Sequence, residues 1–277
     1  MPVIRTVAEL RRVIAGWRAD GLRVGFVPTM GALHEGHLSL VRQGKDRADR
    51  VVASVFVNPT QFAPSEDLDR YPRQEARDAE MLAMAGCDTL FAPPPAEVYP
   101  EGFATSVSVS GVSDDLEGRF RPQMFGGVAL VVAKLFNMVQ ADVALFGEKD
   151  FQQLLVIRRM ARDLDIPVEV IGCPTVRESD GLAMSSRNAY LTAAERSTAA
   201  SLNRILAQAA DRARAGDDLE VIESDARDTL LAAGFERVDY VAVRSTQDLG
   251  PFTGAGSGRI LAAAWLGQTR LIDNLPV

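Results

Sequence analysis

The chain has 277 residues, of which 47% are hydrophobic and 24% are charged, and its formal net charge is −7. This composition is typical of a globular protein of one or two domains and excludes a disordered tail, a collagen-like repeat and a small disulfide-stabilised protein. The longest apolar runs last only a few residues, whereas a membrane helix needs about 20, so we expect no membrane partner. The acidic net charge argues against nucleic acid as the main partner, because it repels phosphate backbones.

Only two cysteines occur, Cys87 and Cys173, and they lie far apart in the sequence. They indicate a reducing compartment and support neither a disulfide framework nor a cysteine zinc site. The first residues lack the charged and then apolar pattern of a secretory signal. The sequence therefore predicts a cytoplasmic protein.

Helices and apolar strands alternate through the first part of the chain. Thr6 and Glu9 predict a capping box, and apolar residues then recur at helical spacing until Gly21. The elements predicted after this helix are, in chain order, a strand over 22–28, a turn over 29–36, a helix over 38–48, a strand over 51–57, a helix over 72–86, strands over 89–92 and 105–109, a helix over 127–140, a strand over 143–146, a helix over 151–164 and a strand over 168–172. Strands that are apolar throughout are typical of a parallel sheet buried on both faces. The predicted fold class is therefore α/β, a Rossmann-like parallel sheet with helices on both faces.

The pattern changes after about Pro174. Helices are predicted over 192–215 and 219–233, followed by strands over 237–244, 259–265 and 269–274. Two helices followed by antiparallel strands indicate a small C-terminal α+β domain. We predict two domains, residues 1–175 and 176–277, with the segment 184–188 close to their boundary.

The turn between the first predicted sheet strand and the next helix carries the only two histidines of the chain, His34 and His37. Backbone N–H groups at the start of a helix favour phosphate, and Gly31 and Gly36 let a ligand approach the backbone closely. Two imidazoles in the same turn can donate hydrogen bonds to phosphate oxygens and to charge that develops during a reaction. Two histidines alone do not make a zinc site, and the pattern His-Glu-x-x-His is absent from the sequence.

The His-Glu-Gly-His sequence of this turn resembles the signature of the HIGH-type nucleotidyltransferases, which use it on ATP. The full run PTMGALHEGHLSLV over 28–41 resembles the pantothenate synthetase (pantoate–β-alanine ligase) family specifically. Three further segments are similar to the same family and follow in the same order: FVNPTQF over 56–62, FGEKDFQQ over 146–153 and MSSRN over 184–188. Four matches in order are a specific signal, and they span about two thirds of the chain.

The resemblance implies an ATP-dependent ligase that joins (R)-pantoate to β-alanine through a pantoyl adenylate and releases AMP and pyrophosphate. It also implies Mg²⁺ and a homodimer. The residues implied to be catalytic are His34, His37 and Lys149. The residues implied to bind ATP are Met30, Gly31, Ala32, Leu33, His34, Glu35, Gly36, His37, Gly147, Glu148, Lys149, Asp150, Val176, Met184, Ser185, Ser186 and Arg187. The residues implied to bind pantoate or β-alanine are Asn58, Gln61 and Gln153.

Each of these segments also has a simpler structural interpretation, which for the histidine turn is a capped turn whose histidines are exposed at the surface. An Asn-Pro turn explains Asn58 but does not explain Gln61. Helix capping and a salt bridge would explain Lys149 and Asp150, and an interdomain linker would explain the segment 184–188. The loop 118–122 could supply further cations, but the family usually has a histidine where this chain has Met124, which puts a role for that loop in doubt.

Two other functions remain open at the level of sequence. One is a nucleotidyltransferase of the same superfamily that acts on another small acid or on a phosphate. The other is a nucleotide-binding regulatory module without chemistry. Gln61 and Gln153 favour a hydroxy-carboxylate substrate, and steady production of AMP would separate an enzyme from a module.

Overall fold

The computed structural model describes residues 1–64, 66–254 and 256–277. The chain divides into two compact units. The first unit comprises residues 1–148 and 153–174, and the second comprises residues 149–152 and 175–277. The short segment 149–152 therefore groups with the C-terminal part of the chain.

A six-stranded parallel sheet forms the centre of the first unit. Its strands are β1 (Val3–Ile4), β2 (Val24–Thr29), β3 (Arg50–Val55), β4 (Thr89–Phe91), β5 (Val143–Gly147) and β6 (Glu169–Cys173). They lie in the order β1-β4-β3-β2-β5-β6, and every adjacent pair is parallel. This arrangement confirms the predicted Rossmann-like fold class. The two-residue strand β1 is missed by the sequence pattern, because two residues are too short to show a period.

Helices cover both faces of this sheet. They are α1 (Val7–Ala19), α2 (Glu35–Lys45), α3 (Glu75–Met84), α4 (Pro95–Val98), α5 (Glu117–Phe120), α6 (Met124–Val139) and α7 (Phe151–Asp163), the first two residues of α7 belonging to the second unit. On one face, Val27 and Leu145 pack in a cluster with Leu40 and Val41 of α2. On the other face, the rings of Phe26 and Phe146 make edge contacts with Phe136 of α6. The two faces follow from the strand period, since neighbouring residues in a strand point to opposite sides.

Three predicted features of the first unit are wrong in detail. Residues 105–109 form no strand. Helix α2 begins at Glu35 and not at residue 38, because the His34 side chain caps it. Helix α6 begins at Met124 and not at residue 127, because Gly126 and Gly127 in its first turn disfavour a helix in the sequence pattern.

An antiparallel sheet with helices packed against it forms most of the second unit. Its elements are α8 (Ala193–Ala199), α9 (Ser201–Ala215), α10 (Leu219–Ala232), β7 (Arg237–Ser245), β8 (Gly258–Leu266) and β9 (Thr269–Pro276), with the strands in the order β7-β8-β9. Leu202 and Leu206 of α9 and Leu230 of α10 pack with Ile260 of β8 in one core. The long helix predicted over 192–215 is wrong, because the structure has two helices there.

The break between α8 and α9 falls at Ala200, and the Ser201 hydroxyl next to it donates to the Thr198 carbonyl at 2.7 Å. Such a local side-chain bond competes with the helical backbone pattern. An alanine-rich sequence contains no strong helix breaker, so the pattern does not signal this break. Among the described residues, no helix has both the length and the apolar character required to cross a membrane.

Candidate active site

The turn that follows β2 has an unusual backbone. Gly31 and Ala32 both have positive φ angles, 84° and 51°. A Cβ atom on Gly31 would lie 2.9 Å from a carboxylate oxygen of Asp78, so only glycine fits there. The Thr29 hydroxyl accepts from the Gly31 N–H at 3.2 Å and donates to the Ser54 carbonyl at 2.7 Å. The turn is thereby fixed to the neighbouring strand β3.

Asp78, on α3, holds the same turn from the other side. Its carboxylate accepts hydrogen bonds from the backbone N–H groups of Ala32 at 3.0 Å and Leu33 at 2.9 Å. The residue is only 1% exposed. A buried carboxylate is stabilised by such bonds to backbone donors. Asp78 lies far along the chain from the turn, in a helix that the sequence describes only by its apolar period, so the pattern could not assign it to the site.

The two histidines lie at the start of α2. His34 is the N-cap residue, and its Nδ1 atom accepts from the Gly36 N–H at 3.2 Å. The Nδ1 atom of His37 accepts from the His34 N–H at 3.3 Å, and the two ring centroids are 4.1 Å apart. Because both Nδ1 atoms are acceptors, the neutral rings carry their protons on Nε2. The start of α2 thus presents two imidazole N–H donors together with the positive end of the helix dipole.

A compact hydrogen-bonded turn follows β3. Asn58 caps a 3₁₀ turn, Pro59–Gln61, and is 1% exposed. Its Oδ1 atom accepts from the hydroxyls of Tyr99 at 2.8 Å and Thr60 at 2.9 Å, while its Nδ2 atom donates to Gln61 Oε1 at 2.9 Å. Burial raises the pKa of the Tyr99 hydroxyl, which keeps it protonated as a donor. Asn58 therefore fixes the orientation of the Gln61 amide, and Tyr99 is a supporting residue that no sequence pattern signals.

Helix α6 packs directly against this turn. A Cβ atom on Gly127 would lie 2.2 Å from the Thr60 carbonyl oxygen and 2.6 Å from the Gln61 nitrogen. The Gly127 carbonyl also accepts from Asn58 Nδ2 at 3.2 Å. Glycine is the residue that permits this close approach of helix and turn. The position of Gln61 thus depends on a residue 66 positions later in the sequence.

The order of the parallel strands brings these segments to one edge of the sheet. β2 lies between β3 and β5, so the turn 29–37, the turn 58–61 and the residues Gly147 and Glu148 all lie at the carboxyl ends of adjacent strands. Ligands in open α/β sheets bind at this edge. Gln153, in the first turn of α7, also belongs to the first unit and is partly exposed.

The remaining predicted residues belong to the second unit. Lys149 and Asp150 are part of a 3₁₀ turn, Glu148–Asp150, and the Lys149 Nζ atom lies 3.9 Å from the Asp150 carboxylate. The Lys149 side chain is mostly buried, whereas that of Asp150 is about half exposed. A loose ion pair of this kind contributes little to stability, so the salt bridge by itself does not account for a lysine at this position.

Backbone hydrogen bonds hold the start of the segment that contains Met184 and the two serines. The Met184 N–H donates to the Val176 carbonyl at 3.0 Å, and Arg177 pairs with Ala183 as an isolated β-bridge. Ser185 then caps a 3₁₀ turn, Ser186–Tyr190, by accepting from the Arg187 N–H at 3.3 Å. Ser186 and Arg187 are thereby held at the start of a helical turn, which is a geometry suited to phosphate.

One of the cations predicted in the loop 118–122, Arg121, has a carboxylate partner. Arg121 donates to both carboxylate oxygens of Glu66, at 2.6 and 2.7 Å, in a mostly buried pair. Its guanidinium also contacts the sulfur of Met124, the buried first residue of α6. Arg121 is therefore engaged in structure, and no contact links this loop to the turn 29–37 among those described.

Comparison with known proteins identifies the family of this chain. The Pantoate-beta-alanine ligase family matches residues 2–276. The chain is 62% identical to a pantothenate synthetase of Caulobacter vibrioides over 99% of this chain and 98% of the relative, and 57% identical to one of Mesorhizobium japonicum over 99% and 97%.

Two solved structures are similar over nearly their whole length. Pantothenate synthetase from Thermus thermophilus has a TM-score of 0.92 at 49% identity and covers 99% of each chain. Pantoate-beta-alanine ligase from Francisella tularensis, complexed with beta-gamma ATP and beta-alanine, has a TM-score of 0.85 at 32% identity, with 99% of this chain and 97% of that chain covered. The family match extends across the chain, the relatives share more than half of its sequence, and the solved structures have the same fold. This chain therefore belongs to the pantoate–β-alanine ligase family.

Proposed function

We propose that this ligase forms pantoyl adenylate from (R)-pantoate and ATP, and that His34 and His37 bind and neutralise the triphosphate during that step. The observation that carries the proposal is the start of α2, where two Nε2–H donors and the helix dipole lie at the carboxyl edge of the parallel sheet. Donors fixed before the reaction stabilise charge without the cost of reorienting water.

The other segments are proposed to divide the substrates between them. In the first unit, the proposed ATP-binding residues are Met30–His37, Gly147 and Glu148. Lys149, Asp150, Val176 and the segment Met184–Arg187 are the nucleotide-binding residues of the second unit. Lys149 supplies a compact positive charge, and Ser185, Ser186 and Arg187 supply hydroxyl and guanidinium donors to phosphate oxygens.

Gln61 and Gln153 are proposed to hold pantoate. An uncharged amide can donate to a carboxylate and accept from a hydroxyl, and pantoate carries both groups. Asn58 stays a predicted substrate-binding residue. Its buried, fully engaged amide supports a role through Gln61, whose orientation it fixes.

The proposed chemistry has two steps. A carboxylate oxygen of pantoate attacks the α-phosphorus of ATP, the bond to the bridging oxygen breaks, and pyrophosphate leaves with that electron pair. The amine of β-alanine then attacks the activated carbonyl, AMP leaves, and the amine loses a proton. A carboxylate is a poor electrophile towards an amine, so the first step provides the leaving group. Positioning and charge neutralisation supply most of the rate.

Mg²⁺, a homodimer and the cytoplasm complete the proposal. Among the described residues no group of three histidine, cysteine, aspartate or glutamate side chains could hold a metal ion. Mg²⁺ would be held mainly by phosphate oxygens of ATP, because it keeps several of its waters and usually takes few protein ligands. The two cysteines are buried free thiols, which suits a reducing cytoplasm. The dimer rests on the family resemblance alone.

The test is exchange of labelled pyrophosphate into ATP. With pantoate present and β-alanine absent, we expect exchange, because the first step needs no amine. His37→Ala should lower the exchange rate by about 10²–10³, the usual effect of one lost preorganised donor. Gln43→Ala, later on the same helix, is the matched control and should leave the rate unchanged.

Accumulation of ADP in place of AMP would contradict attack at the α-phosphorus. Wild-type exchange in His37→Ala would remove the histidines from the proposed mechanism. Omitting pantoate should abolish the exchange, and exchange that persists without it would mean that another acid is activated.

A further inference from the structure

We propose that Asp273 and Asn274, two consecutive residues of β9, are positioning residues that hold two nucleotide-binding segments of the second unit in their working conformation. The inference rests on the proposed binding of ATP by Lys149 and by the segment Met184–Arg187. Both residues are only 3% exposed. A buried polar side chain is destabilising unless its hydrogen bonds are made within the protein, so the partners of this pair indicate what it does.

Asp273 binds the base of the segment that leads to Met184. Arg177 donates to its two carboxylate oxygens at 2.7 and 2.9 Å, in a bidentate pair that is nearly buried on the aspartate side. The same guanidinium donates to the Gly181 carbonyl at 3.0 Å, and Asn203 donates to Asp273 at 3.3 Å. A bidentate pair fixes direction as well as distance.

Arg177 is itself the first residue of a small hairpin. It forms a β-bridge with Ala183, and next to it Glu178 and Leu182 are joined by a backbone hydrogen bond of 2.8 Å. The chain that leaves this hairpin continues directly into Met184 and the two serines. Asp273 therefore anchors the hairpin from which the proposed phosphate-binding residues extend.

Asn274 binds the other segment. Its Nδ2 atom donates to the Lys149 carbonyl at 2.8 Å. Its Oδ1 atom accepts from Arg259, whose guanidinium also lies over the Phe151 ring at 4.2 Å from the centroid. Because arginine can only donate, the amide oxygen must face Arg259 and the NH₂ group must face Lys149. The Asn274 amide thus has one possible orientation, and it fixes the Lys149 backbone.

One strand therefore connects two segments that are far apart in sequence. The neighbouring residues Asp273 and Asn274 lie in regular antiparallel pairing with Ala262 and Leu261 of β8. A paired strand in a buried sheet is a rigid support, and sites on such supports are held more accurately than sites on loops alone. A shift of about 1 Å in a positioned group can cost about 10²-fold in rate.

The test uses substitutions that keep the size of the side chain. Asn274→Asp replaces the donor that faces the Lys149 carbonyl by an oxygen, while Arg259 keeps a partner. Asp273→Asn removes the charge that pairs with Arg177. We expect each to weaken ATP binding at least tenfold in equilibrium dialysis and to raise KM for ATP, with KM for pantoate within twofold of wild type, because the residues proposed for pantoate belong to the first unit.

Asp239→Asn is the matched control. Asp239 is likewise a buried carboxylate of this antiparallel sheet, bound to Arg270 at 2.7 Å and to the Trp265 ring nitrogen at 3.0 Å, but it contacts neither segment. It should lower Tm about as much as Asp273→Asn and leave ATP binding unchanged. If Asp273→Asn does not fold, Arg177→Lys, which keeps the charge and loses the bidentate geometry, should weaken ATP binding in its place.

Equal loss of ATP affinity in all three aspartate and asparagine variants would show that these side chains act only through stability and would overturn the proposal. Wild-type ATP affinity in folded Asn274→Asp and Asp273→Asn would overturn it as well. A wild-type enzyme without pantoate-dependent pyrophosphate exchange would instead contradict the proposed function. Dialysis with ATP needs no turnover, so it decides the positioning role in either case.

Discussion

Replacing Gly127 by alanine should slow the ligase reaction through the Asn58–Gln61 turn. The new Cβ atom would lie 2.2 Å from the Thr60 carbonyl oxygen, a separation that real Cβ atoms essentially never show. Helix and turn must separate by roughly 1 Å, and a displacement of that size can cost about 10²-fold in rate. We expect the loss in kcat/KM for pantoate, because Gln61 is the residue that moves.

The free energy of unfolding of this variant should fall by no more than about the 2.7 kcal/mol that corresponds to a 10²-fold loss in rate. Alanine in a helix is favoured over glycine by up to about 1 kcal/mol, whereas overpacking costs about 1–3 kcal/mol. The net loss is then at most about 2–3 kcal/mol, which thermal unfolding would register as a lower Tm. The assay is AMP release with varied pantoate at saturating ATP and β-alanine.

Gly126→Ala is the matched control on the same helix. Its Cβ atom would lie 3.5 Å from the Val107 carbonyl oxygen, an ordinary contact. This variant should keep wild-type kinetics and the same or a slightly higher Tm. If Gly127→Ala matched Gly126→Ala in kcat/KM for pantoate, the argument from close packing to the position of Gln61 would be refuted.

Three further predictions concern buried groups and the segment 184–188. Asp78→Asn should lower the rate of pyrophosphate exchange by about 10²-fold, because one of the two backbone N–H groups of the turn loses its acceptor. Exchange at the wild-type rate would contradict this prediction. The control is Glu80→Gln, a substitution of an exposed residue on the same helix. Burial raises the pKa of the Cys87 thiol from 9.0 to about 11. The stabilisation that this thiol provides is therefore fully present below about pH 9 and is lost as pH rises through about 11, by about 2–3 kcal/mol. Over that pH range the free energy of unfolding of Cys87→Ala should fall less than that of the wild type. An identical fall in the two proteins would refute the assignment. ATP with Mg²⁺ should protect the segment 184–188 from limited proteolysis, whereas β-alanine alone should not, and equal cleavage under both conditions would indicate a simple linker.

The sequence by itself was sufficient for the fold class and for the family. Apolar strands alternating with helices predict a parallel sheet, and the sheet has six parallel strands. The four segments that carry the resemblance are contiguous in sequence, so no knowledge of tertiary contacts is needed to find them. Local motifs such as the turn with His34 and His37 are visible because the residues that define them lie within one or two turns of the chain.

The residues that support the site required the tertiary structure. Asp78, Tyr99 and Gly127 contact the predicted segments from positions 41 to 69 residues away along the chain. Periodicity describes them only as members of a helix or a loop, because it reports which face of an element is apolar and not what that face meets. Whether a buried aspartate accepts from a backbone turn is decided by packing between elements.

The boundaries of the elements also depend on contacts that the sequence pattern does not show. Helix α2 begins at Glu35 and not at the predicted residue 38, because His34 caps it. Histidine is not among the usual capping residues, so the sequence pattern does not signal this start. The break at Ala200 has no sequence signal, and the grouping of 149–152 with the C-terminal unit depends on contacts such as that from Asn274 to Lys149. Local sequence determines the type of each element, whereas contacts between distant residues decide where an element begins and which side chains hold the site in place.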